Sequence, residues 1–327
     1  MTKKHRRRRN WSQIALLLVF AAVAIYAAAH CMFRAPEIQA ETAGQITPID
    51  EISAEEAAAA AALAAHSERK ENAYIILVSG VDSGNGGSDT NILVAVDAEA
   101  GRIHGVSIPR DTKAIINGEN HKINYAYNHG GIKLLADTIS HQLGIPVDFT
   151  VTVDLTGFID LVNAIGGVDF YVPINMDYDD PLQNLSIHYT EGMHHLNGQQ
   201  AMEVVRFRQN NDGTGYGSQD IGRMQTQQNF LKAVAKQTLT VSNLDKVGSF
   251  AKIFQDSVET DLSLGNLAWL GSEAISIGVD NITFSTLPGE WKSPYIYVDP
   301  EAALTLVNEH LNPYVEDRVA EDLNIPD

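Results

Sequence analysis

The stretch YIILVSGVDSGNGGSDTNILVAVDAEAGRIHGVSIPRDT, Tyr74 to Thr112, carries three apolar, β-branched runs separated by Gly, Asp and Asn. Such runs, four to eight residues long and bounded by turn formers, read as strands of a well-buried sheet. A fourth, VDFTVTVDL, begins at Val147. Between them GGIKLLADTISHQLG, Gly130 to Gly144, has helical spacing and a glycine stop, and TGFIDLVNAIGG repeats that pattern. VDFYVP reads as a further strand. GQQAMEVVRF and IGRMQTQQNFLKAVAKQTL read as helices, NITFSTLPG as a late strand and DPEAALTLVNEHL as a last helix. Strands alternating with helices predict an α/β sheet covered on both faces. No internal repeat and no second linker divide it, so residues 73–327 are expected to form one domain.

Upstream, the chain changes character. Residues 1–9 hold Lys3, Lys4 and Arg6 to Arg9 with no acid, and SQIALLLVFAAVAIYAAAHCMF, Ser12 to Phe33, has no formal charge. A helix of that length crosses a hydrocarbon layer of ~30 Å, and basic residues on its amino side hold that end in the cytoplasm. The expectation is a cytoplasmic tail at 1–11, an uncleaved transmembrane anchor at 12–33 and an external remainder. The rival, a cleaved signal peptide, has a shorter apolar part and a sharper small-residue site than AAAHC. Cys31 is the only cysteine, so no intramolecular disulfide forms. Residues 34–72, rich in Ala and Glu, read as a spacer, with SAEEAAAAAALAAHSERK strongly helix-forming.

The 327 residues carry a formal charge of -18; past residue 9, 17 basic residues face 41 acidic ones, a charge of -24. So acidic a body is a poor partner for nucleic acid. Against that background three loops stand out. GVDSGNGGSDTN offers Asp82 and Asp89 on a flexible turn between two strands, which suits a hard divalent cation, though Asp and Gly also simply form turns. No Gly-Lys-Ser/Thr follows, so it is not a Walker loop. In SIPRDT, Pro109 ends a strand and Arg110 projects, able to fork onto phosphate or to pair with Asp111. In EVVRFRQNNDGTGYGSQDIGRMQTQQ, Arg206, Arg208 and Arg223 fall within eighteen residues. Arg206 and Arg208 share a side if the chain leaves its helix extended; Arg223 and Gln227 share a helical face; Asp220 stands where it can cap that helix or pair with Arg223. A solvated salt-bridge cluster and a polyanion site both remain open on these residues alone.

SDTNILVAVDAEAGRIHGVSIPRDT, HKINYAYNHGGIKLLADTI, DFTVTVDLTGFIDLVNAIGGVDFYVP, LNGQQAMEVVRFRQ and DIGRMQTQQ, in this order, resemble the LytR–CpsA–Psr family, over core motifs from 74 to 240. The resemblance implies a three-layer α/β/α sandwich with a central mixed sheet, preceded by one transmembrane helix, in a Gram-positive cell membrane. It implies transfer of a teichoic acid, capsule or related wall glycopolymer from a polyprenyl-pyrophosphate lipid to peptidoglycan. By position, Asp82 and Asp89 would bind Mg²⁺, or Mn²⁺ in its place. Arg110, Arg206, Arg208, Arg223 and Gln227, with Asp220 as acidic partner, would hold the pyrophosphate. Asp89, Arg110, Arg206 and Arg208 would be catalytic, Asp89 also as base. The lipid would need an apolar tunnel, for which the helical stretches 131–142, 156–166 and 223–240 are candidates. Two departures appear: the first loop has no arginine, and Thr226 stands where many members carry a second arginine of the Gln-rich helix. A pyrophosphate-lipid hydrolase and a non-catalytic, lipid-binding regulator remain as alternatives.

Overall fold

The computed structural model describes residues 34–38, 68–81, 87–182, 185–216, 219–239 and 247–327, with backbone alone at 219–221, 247, 249 and 250. The anchor at 12–33, most of the spacer and Asp82 lie outside the described residues. Among those described, no helix is long and apolar enough to cross a membrane.

The chain runs β1 (Ala73–Val81), β2 (Ser88–Asp97), β3 (Arg102–Ile108), β4 (Lys113–Ile116), β5 (Glu119–Lys122), α1 (Asn124–Leu143), β6 (Phe149–Asp154), α2 (Leu155–Ala164), β7 (Val168–Val172), β8 (Met176–Asp180), β9 (Leu185–Tyr189), β10 (Gly192–Leu196), α3 (Gly198–Arg206), α4 (Gln219–Thr238), α5 (Val247–Ser257), β11 (Glu259–Thr260), α6 (Leu264–Ile277), β12 (Ile282–Thr286), β13 (Gly289–Lys292), β14 (Tyr295–Val298) and α7 (Pro300–Leu306). Six strands form the central sheet in the order β11-β6-β1-β2-β3-β12. It is mixed: β1 to β3 make an antiparallel meander, whereas β6 runs parallel to β1 and β12 parallel to β3.

Successive side chains of a strand point to opposite faces. Ile75 and Leu77 of β1 therefore join Leu93, Val106 and the α1 residues Leu135 and Ile139 in one buried cluster. Ile76 joins Val96, Ile103 and Val151 on the other face, against residues of α4, α5 and α6. Helices on both sides complete the three layers. A third cluster, built by α2, α3 and the strand pairs β7–β10 and β8–β9, stands beside them.

The expected helix at Gly130 begins earlier, at Asn124, and is kinked at Gly131, whose φ of 66° a side chain would oppose. Gly144 caps it in the left-handed region as the sequence indicates. The hairpins β4–β5, β8–β9 and β13–β14 are too short for a clear periodic signal, and the helices α5 and α6 lie outside the expected elements.

Parts of the spacer stretch belong to the fold. The main chain of Arg34 donates to Gly265 (3.2 Å), and Pro36 is buried, its carbonyl accepting from the Tyr74 hydroxyl (3.1 Å). Arg69 forks onto Asp148 at 2.9 and 2.6 Å, and the main chain of Ile75 donates to the same carboxylate (2.8 Å). The Asp148 side chain is wholly buried; desolvation pushes its pKa up and the guanidinium opposes that. Removing one partner of a buried pair leaves an uncompensated charge. Arg69→Met is expected to cost about 3–5 kcal/mol in urea unfolding. Arg69→Met with Asp148→Leu is expected to cost less than Arg69→Met alone.

Candidate functional site

The antiparallel register brings the two carboxyl- and guanidinium-bearing loops together. Asn91 of β2 lies opposite Ile108 of β3, so Asp89, two residues before, meets Arg110, two residues after. Their ion pair is 2.7 Å long, with Asp89 about half exposed and Arg110 less so. The loop holding Arg110 is fixed by main-chain bonds. Thr112 donates to Pro109 (3.0 Å), Ile123 to Thr112 (2.8 Å), Asn124 to Arg110 (3.3 Å) and Ile296 to Asp111 (2.8 Å).

The other arginines arrive on α3 and α4. A capping box between Asn197 and Gln200 starts α3. Arg206 is its last residue and lies within 3.7 Å of the Met202 sulfur. Phe207 then leaves the helix extended, at φ −58° and ψ 134°, with its ring 1 % exposed in the core. Arg206 and Arg208, on either side of it, both line one cavity, as an extended exit requires. Arg208 opens a loop closed by the Gln209–Gly215 bridge and by Asn210, which donates to Thr214 (2.7 Å). Arg223 of α4 is 8 % exposed. Gln227, one turn on, donates to the Val205 carbonyl (3.1 Å) and so ties α4 to the end of α3.

The cavity that these groups share has a volume of about 1230 Å³, above the usual ~300–1,000 Å³ of a small-molecule site. At one end it gathers Asp89, Arg110, Arg206, Arg208, Arg223 and Gln227. From there it runs between the sheet and its helical cover, past Ile76, Val78, Ile92 and Val94 of the strands and Phe230 and Val234 of α4. Helices 156–166 and 223–240 line it as expected. Helix 131–142 does not: it packs on the opposite sheet face, through Leu135 and Ile139. Its place is taken by α5 and α6, with Phe254, Leu267 and Leu270. The Ser263–Asn266 capping box ahead of the apolar stretch LAWLGSEAISI is the sequence signal that could have disclosed α6. Asp220 lies at the start of α4, its side chain outside the described residues, as are Asp82 and residues 83–86 of the first loop.

Thr226, one of the two departures noted in the sequence, is buried and shares a 2.7 Å hydrogen bond with the Tyr216 hydroxyl. The Tyr216 ring also meets Phe207 edge-on at 5.6 Å. Burial raises the Tyr216 pKa, so this hydroxyl stays neutral. A neutral, aromatic anchor thus closes the Arg208 loop onto α4.

These observations describe an α/β/α protein whose apolar cleft is also lined by four guanidinium groups, one of them paired with Asp89. The chain belongs to the LytR_cpsA_psr family, whose model matches residues 42–312. It is 33% identical over 207 residues to a protein of Bacillus subtilis (strain 168) named polyisoprenyl-teichoic acid–peptidoglycan teichoic acid transferase TagV, a match covering 60% of this chain and 52%, about half, of that relative's length. It is also 33% identical over 261 residues to the Bacillus cereus protein named polyisoprenyl-teichoic acid–peptidoglycan teichoic acid transferase TagU, covering 76% of this chain and 80% of that one. The crystal structure of B. subtilis TagV resembles the present fold with a TM-score of 0.64 at 29% identity, over 76% of this chain and 100% of that chain.

The Tyr216 anchor is testable. A Cβ on Gly222 would run into the Tyr216 side chain. Gly222→Ala is expected to lower the melting temperature by several degrees, and clearly less when combined with Tyr216→Ala. Contacting residues give such non-additive changes; additive ones would mean that the two do not press on each other.

Proposed function

We propose that the protein is a phosphotransferase that moves a wall glycopolymer, a teichoic acid, capsule or related polysaccharide, from a polyprenyl-pyrophosphate carrier to peptidoglycan. The observation that carries this reading is the junction, within one cavity, of an apolar arm with Asp89, Arg110, Arg206, Arg208 and Arg223. A long hydrocarbon chain gains from apolar burial at roughly 25 cal/mol per Å². Guanidinium forks match phosphate oxygens in shape and charge. The relatives' names agree, since TagV and TagU are named as teichoic acid transferases to peptidoglycan.

In this reading the polyprenyl tail lies along α2, α4, α5 and α6, and the arginines hold the pyrophosphate at the mouth. A hydroxyl oxygen of the acceptor bonds to the phosphorus nearest the glycan. The bond from that phosphorus to the bridging oxygen breaks, and its electron pair leaves with polyprenyl phosphate. Asp89 accepts the hydroxyl proton. Arg110, 2.7 Å away, holds that carboxylate in place, and the other guanidiniums stabilise negative charge as it develops. Asp89, with Asp82 in the same loop, also supplies hard oxygen donors of the kind Mg²⁺ or Mn²⁺ takes. Among the described residues no group of three or more His, Cys, Asp or Glu could hold a metal ion, so such a site fits one completed by phosphate oxygens and water. When bound, the ion would neutralise pyrophosphate charge and act as Lewis acid on it. In this reading the basic tail is cytoplasmic, the apolar stretch 12–33 anchors the chain in the membrane and the domain lies on its outer side.

Two measurements on the full chain, with labelled lipid-linked donor and peptidoglycan oligomers, test this. Arg110→Ala, Arg206→Ala and Arg208→Ala are each expected to reduce donor binding or transfer by about tenfold or more, since charge-assisted bonds contribute about 1.5–3 kcal/mol. Lysine at the same positions restores the charge without the fork and recovers part of the loss. Normal donor binding with sharply lower melting temperatures would make the cluster structural. Asp89→Asn, and separately a chelator, are expected to abolish transfer in a folded protein; full activity in both removes the metal from the reaction. Release of glycan phosphate at equal rate without acceptor would define a hydrolase instead.

A further inference from the structure

The loop that carries Arg110 is joined on one side to an edge hairpin with an unusual surface. Beyond the Ile296–Asp111 main-chain bond, Ile296 bridges to Thr112 and lies with Asp89, Arg110 and Arg223 around a small recess beside the cavity. Side chains continue the line. Arg110 pairs with Asp89, Lys122 pairs with Asp111 at 3.0 Å, and the Lys122 ammonium stands 5.8 Å from the centre of the Trp291 ring. Trp291 is 57% exposed and pairs with Ile296 across the hairpin. On the other side of the loop, where Ile123 and Asn124 bond to it, the rings of His121, Tyr125 and His129 stack at 3.7 and 3.6 Å, nearly parallel. The hairpin of Tyr178 and Leu185, which also line the cavity, carries Asp177, Asp179 and Asp180. The face of the hairpin beside the recess is thus aromatic and cationic, and the Tyr178–Leu185 hairpin acidic.

We propose that the Trp291–Lys122 rim docks the glycan strand of the acceptor and presents its hydroxyl to Asp89. This rests on the transferase reading above. A pyranose ring has one face of C–H groups, whose slight positive charge suits the electron-rich face of an indole, and an equatorial fringe of oxygens that an ammonium can bind. An indole left this exposed beside a cleft is the kind of anchor that recognition surfaces use. The rim takes the acceptor rather than the donor because of where Asp89 stands. The donor's lipid occupies the apolar arm, and its phosphates meet Arg206, Arg208 and Arg223 from the α3–α4 side. Asp89 is tied to Arg110, and Arg110 to the Trp291 rim, so the hydroxyl that loses its proton to Asp89 enters from there. Trp291 is then a specificity residue that touches substrate several sugar atoms from the reacting phosphorus.

Calorimetric titration of the full chain in detergent micelles tests this, with a peptide-free tetrasaccharide of the peptidoglycan strand as probe and, separately, a polyprenyl-pyrophosphate glycan. Trp291→Ala is expected to weaken tetrasaccharide binding by about tenfold or more and to raise the KM for acceptor, with donor affinity unchanged. Trp291→Phe keeps a ring and is expected to retain most of the binding. Lys122→Ala, which leaves the hairpin intact, is expected to weaken it several-fold. Unchanged tetrasaccharide binding in both alanine variants, or none by the unaltered protein while it binds donor, overturns the docking proposal and leaves the transferase reading standing. Loss of donor affinity in Trp291→Ala assigns the rim to the donor glycan and likewise overturns it. Failure of the unaltered protein to bind donor, with the tetrasaccharide bound through Trp291, would instead strike the transferase reading.

Discussion

The sheet is buried on both faces, and that constraint orders everything else. A strand in such a sheet has no solvent side, so each residue of β1 must suit one of two different interiors. Ile75 and Leu77 pack against α1 in a closed core, while Ile76 and Val78 look toward the cavity. A slip of one residue would exchange the two sets, placing closed-core side chains in the cleft and moving Asp89 out of line with Arg110. The pair exists because β2 is antiparallel to its neighbours: its first residues stand beside the last residues of β1 and β3. One end of the sheet therefore collects the first loop, the SIPRDT loop and the start of α2.

The cavity follows from unequal packing of the two sides. On the α1 face, Leu77, Leu93, Val106 and Leu135 are fully buried and touch one another. On the other face many large residues, among them Val78, Val94, Phe254 and Leu267, are only partly buried. They face each other across open space. Interiors ordinarily close to crystal-like density, and a void on the order of 1,000 Å³ forgoes much dispersion energy. The closed face and the aromatic cluster of Phe158, Phe170 and Phe230 are parts of the fold that offset it.

Electrostatics sets the boundary of the site. A body with a formal charge of -24 past residue 9 repels anions at long range, but at physiological salt that field decays over about 8 Å. Among the described residues that line the cavity, the guanidiniums of Arg110, Arg206, Arg208 and Arg223 meet the carboxylates of Asp89 and Asp154. On the reading proposed above, a ligand with several negative oxygens would add to the partners these guanidiniums already have, Arg223 being largely out of water. The uncharged Tyr216–Thr226 pair holds the Arg208 loop on α4 without adding to the positive charge.

Much of this could be read from residue order. Apolar runs from Tyr74 to Ile108 marked three central strands, because strands buried on both faces are apolar throughout. The spacing in 130–144, 156–166 and 221–239 marked helices. The motifs around Asp89, Arg110, Arg206 and Arg223 identified the cluster, and the resemblance they carry agrees with the family. Residue order did not disclose the hairpins β8–β9 and β13–β14, whose signals are too short to separate from loops. It also misassigned helix 131–142 to the lipid cleft. An amphipathic helix declares that it has an apolar face, not which sheet face receives it; that choice rests on the handedness of chain connections and on packing between residues far apart in sequence. The same limit applies to Trp291. Nothing near it in the chain mentions Arg110, and the two are linked only because Ile296 bonds to Asp111 and Lys122 stands between Asp111 and Trp291. Local periodicity and charge are written in adjacent residues; the side of a sheet, the volume of a cleft and the meeting of distant loops arise from contacts that adjacent residues do not make.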